Sequence, residues 1–249
     1  MNGRTLILLL ALSAPGVTLA QTSDPLNSTM WSFFQQNLLD GAEVQFDERV
    51  VLQAPPFAED ARQVPLQLDA SAFQGQVERI LLWAELNPIP RVVDFRPGER
   101  MKPTLAIRIR IEQATAIRAA VLTRDGIWHV GSTRIDAAGG GCTAPSVVRT
   151  QPGWEQHLGE VIGQRYPSDH GSRLRLKVSH PMDNGLTGGI PEFFLNHAEL
   201  RAADGQVLGT LELFAAVSEN PTISLETLAD EPVELWLRDN NGNEFKADL

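Results

Sequence analysis

The chain of 249 residues carries 21 Lys and Arg against 31 Asp and Glu, a net charge of −10, with 43% hydrophobic residues, 20 Gly, 16 Pro and a single Cys. Such a composition excludes a collagen-like repeat, a disulfide-stapled miniprotein and a disordered acidic polymer. The acid excess argues against a nucleic-acid groove, which needs clustered Lys and Arg, and the length suits two modest domains.

At the N-terminus, Arg4 precedes the apolar run Leu6 to Leu12, Pro15 and Gly16 interrupt it, and Thr18-Leu19-Ala20 supplies small residues for a peptidase. This is the layout of a secretory signal peptide over 1–20, cleaved near Ala20. The interrupted run is too short for the roughly twenty apolar residues of a membrane span. The expectation is an exported protein that does not insert in a membrane after signal cleavage. No Cys lies beside the cleavage site, which argues against a lipid anchor.

One amphipathic helix is predicted next. Met30, Trp31, Phe33, Phe34, Leu38 and Leu39 recur at helical spacing, Asn27 or Ser28 can cap the start, and Gly41 follows the end. Its aromatic stripe reads as core packing. Period-two alternation then takes over. Leu105, Ile107, Ile109 and Ile111 alternate with Ala106, Arg108, Arg110 and Glu112, which predicts a half-buried strand with the charged set facing solvent. Val50–Leu52, Val64–Leu68, Ile80–Leu86, Val92–Phe95, Ile117–Leu122 and Ile127–Val130 read as further strands between Pro, Gly and Asp punctuation. From 147 to 170 the pattern lapses, and these residues read as a linker with a helical turn around Trp154 to Ile162. Alternation resumes at Leu174, Leu176 and Val178, followed by Ala198–Ala202, Val207–Phe214, Ile223–Leu225, Val233–Leu237 and a hairpin turn at Asp239 to Asn243. The predicted fold class is all-β: two antiparallel sandwiches over 27–146 and 171–249, with a short N-terminal helix.

The lone cysteine is the most informative residue for chemistry. Exported proteins usually hold cysteines in pairs, so an unpaired Cys142 points to intermolecular bonding or a reactive thiol, and otherwise to a small buried hydrophobe. Its context, Gly139-Gly140-Gly141-Cys142-Thr143-Ala144-Pro145, has no apolar alternation and predicts an exposed thiol on a flexible loop formed by Gly139, Gly140 and Gly141. The thiolate is the reactive form, so activation needs positive charge, for which Arg134 and Arg149 are the sequence neighbours. None of His129, His157, His170, His180 and His197 pairs with another at ligand spacing, so no metal is expected, and nothing calls for a cofactor. A catalytic dyad of Cys142 with His157 or His129 is a competing reading, weakened because a mobile nucleophile is poorly positioned. Trp83, Trp128, Trp154 and Trp236 are expected in cores or between domains.

Longer stretches carry a family resemblance. APPFAEDARQVPLQLDAS, ILLWAELNPIPRVVDF and LAIRIRIEQATAIRAAVLTRDGIWHV, followed by the glycine-flanked Cys142, resemble SoxY of the periplasmic sulfur-oxidising (thiosulfate oxidation) system. LRLKVSHPMDNGL, GGIPEFFLNHAEL, LFAAVSENPTISL and LWLRDNNGNEF resemble SoxZ. In this order the chain is most similar to the fused SoxYZ-like proteins found alongside quinoprotein dehydrogenases. The resemblance implies immunoglobulin-like sandwiches and a periplasmic, non-enzymatic carrier with sulfur intermediates held covalently on Cys142. It implies redox partners, either Sox-type enzymes or a quinoprotein dehydrogenase with its c-type cytochrome. SoxY holds its cysteine on a free C-terminal arm, whereas here the chain continues past Thr143-Ala144-Pro145 into the second half. The alternative is an accessory binding module of a quinoprotein dehydrogenase and cytochrome system, with no covalent cargo.

Overall fold

Alternating side chains dictate most of the architecture. The computed structural model describes residues 23–249, so the predicted signal peptide lies outside the described residues. The one α-helix among them, α1 (Trp31–Leu38), precedes β1 (Val44–Phe46), β2 (Val51–Gln53), β3 (Phe57–Ala58), β4 (Val64–Asp69), β5 (Val77–Ala84), β6 (Arg91–Pro97), β7 (Met101–Ile109), β8 (Thr115–Thr123) and β9 (Trp128–Ala137). The second half contributes β10 (Val161–Ser168), β11 (Gly171–Val178), β12 (Leu195–Ala202), β13 (Val207–Leu213), β14 (Thr222–Thr227), β15 (Val233–Asp239) and β16 (Glu244–Asp248). No described helix is long and apolar enough to cross a membrane.

The strands form two sheets. One runs β1-β9-β8-β5-β6-β13-β12-β15-β16, with β3 also against β9; the other runs β10-β11-β14-β7-β4-β2. Pairing is antiparallel except where β1 and β3 lie parallel to β9. Both sheets pass from one half of the chain to the other: β6 pairs β13 with Phe95 opposite Leu211, and β7 pairs β14 with Ile107 opposite Ile223. Inward side chains from both halves therefore share one core, in which Leu66, Leu105 and Ile107 join Leu174, Leu176, Leu211 and Leu235. Each of these contributes roughly 1.5–3 kcal/mol by leaving water.

Helix α1 covers the outer face of the first sheet. Trp31, Phe34 and Leu39 pack on Val44, Phe46, Leu81, Trp83, Trp128 and Val130, as the aromatic stripe predicts. Strand β8 is thus buried on both faces, which explains its unalternated sequence AIRAAV. Arg118 in this strand is wholly buried; its Nε donates to Glu85 at 2.8 Å, Nη1 and Nη2 donate to Asp24 at 2.6 and 2.8 Å, and Trp31 lies against the guanidinium. This cluster ties the segment before α1 to the sheet.

Three departures from expectation have physical causes. Residues 147–170 are not all linker: 161–168 form β10, paired along its whole length with β11. Gly163 and Pro167 hide that strand in the sequence, but an edge strand tolerates a proline, whose missing N–H faces away from the ladder. The predicted helical turn is a short 3₁₀ turn, Trp154–His157. Trp83 and Trp128 are core residues, whereas Trp154 and Trp236 are only half-buried. Trp236 lies on the outer face of β15 beneath the guanidinium of Arg201.

Candidate functional site

Strand β9 delivers the chain to the glycine loop at the boundary between the two halves. Gly139 and Gly140 adopt φ of +106° and +80°, the left-handed region that other residues enter only with strain. The turn closes with Ala144 N–H donating to Gly140 O at 3.1 Å. Gly141 serves a different purpose. A Cβ there would sit 2.1 Å from Ala61 O and 2.5 Å from Ile111 O, so only glycine lets the loop approach the β7–β8 connection. Gly140 N–H and Gly141 N–H donate to Glu112 O at 3.0 Å and Ile111 O at 3.1 Å.

The predicted exposure of Cys142 is overturned: the loop of Gly139, Gly140 and Gly141 is docked between the two halves. Cys142 is 1% exposed, and Gly141 docks the loop against Ala61 and Ile111. The reason is tertiary: one side of the loop is covered by the first half and the other by the second. Glu112 Oε2 accepts N–H bonds from Cys142 at 3.0 Å and Thr143 at 3.2 Å, and its other oxygen accepts the Thr143 hydroxyl at 3.2 Å. From the second half, Asn184 Nδ2 donates to Cys142 O at 2.6 Å. Downstream, Glu219 Oε2 accepts from the Ser146 hydroxyl at 2.6 Å and Val147 N–H at 2.7 Å. Arg149 Nε donates to Asp183 at 2.5 Å. Beyond the two backbone bonds from Gly140 and Gly141, side chains hold this loop, and no strand pairing runs through it.

Burial pushes the Cys142 thiol up to about 12, and the Glu112 carboxylate adds to the rise; Arg110 pulls the other way. The closed site therefore favours the protonated thiol over the reactive thiolate. Neither arginine named from sequence serves it, since Arg134 is exposed and Arg149 is spent on Asp183. The cation within electrostatic reach is Arg110. Alternation puts Arg110 on the solvent side beside Arg108, yet it is buried at the end of β7, where its N–H donates to Ala216 O and the chain turns between the halves. The histidines stand apart from the thiol: His129 Nδ1 bonds Asp47 at 2.9 Å, and exposed His157 meets Glu160, so neither forms a dyad with Cys142. His180 is fully buried in the second half beside Phe193.

Comparison with known proteins bears on this geometry. Residues 35–142 match the family of sulfur oxidation protein SoxY, and residues 164–249 match sulphur oxidation protein SoxZ. The chain has a fused SoxYZ-like architecture. The SoxY match ends on Cys142 itself, and the SoxZ match opens inside β10. Among solved structures the chain is similar to the sulfur carrier protein SoxY from Chlorobium limicola f thiosulfatophilum, with 19% identity, a TM-score of 0.39 and coverage of 43% of this chain and 91% of that one. No curated protein sequence matches. In the fused SoxYZ-like chain, Cys142 sits between the β7–β8 connection of the first half and Asn184 of the second.

Proposed function

We propose that this SoxYZ-like protein is a sulfur-oxidation carrier, not an enzyme, which holds a covalent sulfur-containing intermediate on Cys142 and presents it to redox enzymes. The observation that carries this reading is the coincidence of three features at one residue. Cys142 is the chain's only cysteine, the last residue of the SoxY match, and the centre of a loop fastened to both halves by releasable side chains. In this reading the buried thiol is a resting state, and partner docking opens the loop. Sox-type enzymes, or a quinoprotein dehydrogenase with its cytochrome, are the proposed partners. Periplasmic location is proposed with it, supported by the run Leu6 to Leu12 behind Arg4.

Intact mass of native protein under non-reducing conditions tests the reading. A reducible adduct on Cys142, and loss of pathway activity in a folded Cys142→Ser variant, are the expected results. One observation favours a second reading: a sulfur 1% exposed suits an accessory module of a quinoprotein dehydrogenase system in which the thiol only packs. A Cys142→Ser variant with full pathway activity and no native adduct would establish that alternative.

A further inference from the structure

The outer face of the second sheet carries cations that the chain leaves unpaired. Strand β11 turns Arg173, Arg175 and Lys177 outward at every second position, and Arg108 of β7 stands on the same face. All four are exposed. Among the described residues, the ion pairs made by this sheet's strands are Lys102 with Glu226 and Arg165 with Asp230, and neither uses these four. The other acid on the face, Asp69, accepts the Ser71 N–H. The first sheet treats its cations differently: Arg79 is paired with Asp94, and Arg201 with Glu199 and Glu234. Unpaired cations gathered on one face of a chain with net charge −10 repel one another in the free protein, and an opposite charge would relieve that repulsion.

Strand register builds a hollow between these side chains. Arg175 lies opposite Ser224 and Lys177 opposite Thr222, while Ala106 flanks Ser224 on its other side. The small residues leave a shallow depression of about 220 Å³, bordered by Arg108, Arg173 and Arg175. On the edge strand β10, Ile162 is 68% exposed and Tyr166 lies beneath the Arg173 guanidinium. Arginine and tyrosine are the residues that protein interfaces concentrate. The face also runs up to the segment that fastens the thiol loop: Arg108 O accepts the Ser218 N–H, and the next residue, Glu219, holds Ser146.

We propose that this face is a docking surface for a protein partner that presents a compact cluster of Asp and Glu. Charge complementarity selects the occupant. Carboxylates engage guanidinium forks two oxygens at a time and offset the repulsion among the four cations. A nucleic acid or an anionic bilayer extends past the face and meets the acidic excess of the rest of the chain, which a compact patch avoids. A second copy of the chain would have to join unlike surfaces, an arrangement that builds open chains of copies unless its rotation closes a ring. The surface serves a partner whether or not Cys142 carries cargo.

Titration of the full-length, isotope-labelled chain with a hexaglutamate peptide tests the surface. Amide shifts should cluster at Ala106, Thr222 and Ser224, and binding should weaken as salt rises. Arg175→Gln should lower affinity roughly two- to fivefold, the scale of one exposed ion pair. Combining Arg108→Gln, Arg173→Gln, Arg175→Gln and Lys177→Gln should abolish binding. Arg96→Gln, Arg134→Gln and Arg238→Gln together remove exposed cations of the first sheet and should leave affinity unchanged. Wild-type shifts spread over the first sheet overturn the inference, and this arm needs no variant to fold. Equal loss of affinity in the first-sheet variant overturns it as well. Displacement of the peptide by sulfate at matched ionic strength would make the face a small-anion site instead. Tighter binding to phosphatidylglycerol vesicles than to the peptide would make it a membrane surface, and self-association abolished by the four-site variant would make it a contact between copies; each of these outcomes sinks the proposal.

Discussion

Glu112→Gln is the sharpest probe of the closed thiol. The substitution keeps shape and one acceptor oxygen but removes the charge that receives two backbone N–H groups and a hydroxyl. A hydrogen bond to a charged group contributes about 1.5–3 kcal/mol and a neutral one about 1 kcal/mol. Over the two backbone bonds, loop opening becomes easier by roughly 1–4 kcal/mol, or about fivefold to several-hundredfold in open population. A second effect adds to this, because Glu112 is, after burial, the next contributor to the raised thiol pKa. The elevation from 9.0 to about 12 makes the wild-type thiolate about a thousandfold scarcer at pH 7 than an unperturbed thiol's. Labelling by methyl methanethiosulfonate, followed by intact mass between pH 6 and about pH 9, should therefore be very slow in the wild type and at least tenfold faster in the variant. Wild-type rates with a wild-type pH profile in a folded Glu112→Gln protein would refute the claim that this carboxylate holds the loop shut.

Other expectations rest on the same geometry. Gly141→Ala forces a Cβ against Ala61 O and should undock the loop, with thiol labelling rising while the thermal midpoint changes little; Gly140→Ala meets no neighbour and should cost only about 1 kcal/mol of left-handed strain. The folded thiol pKa lies above its unfolded value, so its contribution is complete below about pH 9 and declines by about 1.4 kcal/mol per unit toward pH 12; hydrogen exchange of the loop should show alkaline loosening that Cys142→Ser lacks. His180 shifts the opposite way: burial pushes it down to about 4, so stability present above about pH 6.5 should fall as pH drops toward 4, and its NMR signals should not titrate near neutrality. Arg118→Met leaves Asp24 and Glu85 buried without their cation and should cost about 3–5 kcal/mol, lowering the thermal midpoint by roughly 10 °C in calorimetry.

Periodicity made most strands legible because one face of each is buried and the other wet. Leu105, Ile107 and Ile109 show this directly, and Leu174, Leu176 and Val178 repeat it in the second half. Strands with a weaker signature escaped: β10 has Gly163 and Pro167 on an exposed edge, and in the short β16 Phe245 is only partly buried against the core. The same logic misplaced Arg110. Period two assigns it to the solvent side, but the strand ends at Ile109, and the second half covers the residues beyond that end.

The sequence by itself determined that this is a two-part β protein with one cysteine set among glycines, because apolar spacing and residue identity are local properties. Whether that sulfur faces water depends on groups distant in the chain. Asn184 lies 42 positions beyond Cys142 and Glu112 lies 30 before it, and nothing in the local tetrapeptide encodes either contact. Tertiary structure alone decided that Gly141 serves close packing, that burial raises the thiol's pKa, and that a buried arginine lies in its electrostatic reach. The physical reason is that both sheets run through the two halves, which brings the connections carrying Ala61, Glu112, Asn184 and Glu219 together around the loop.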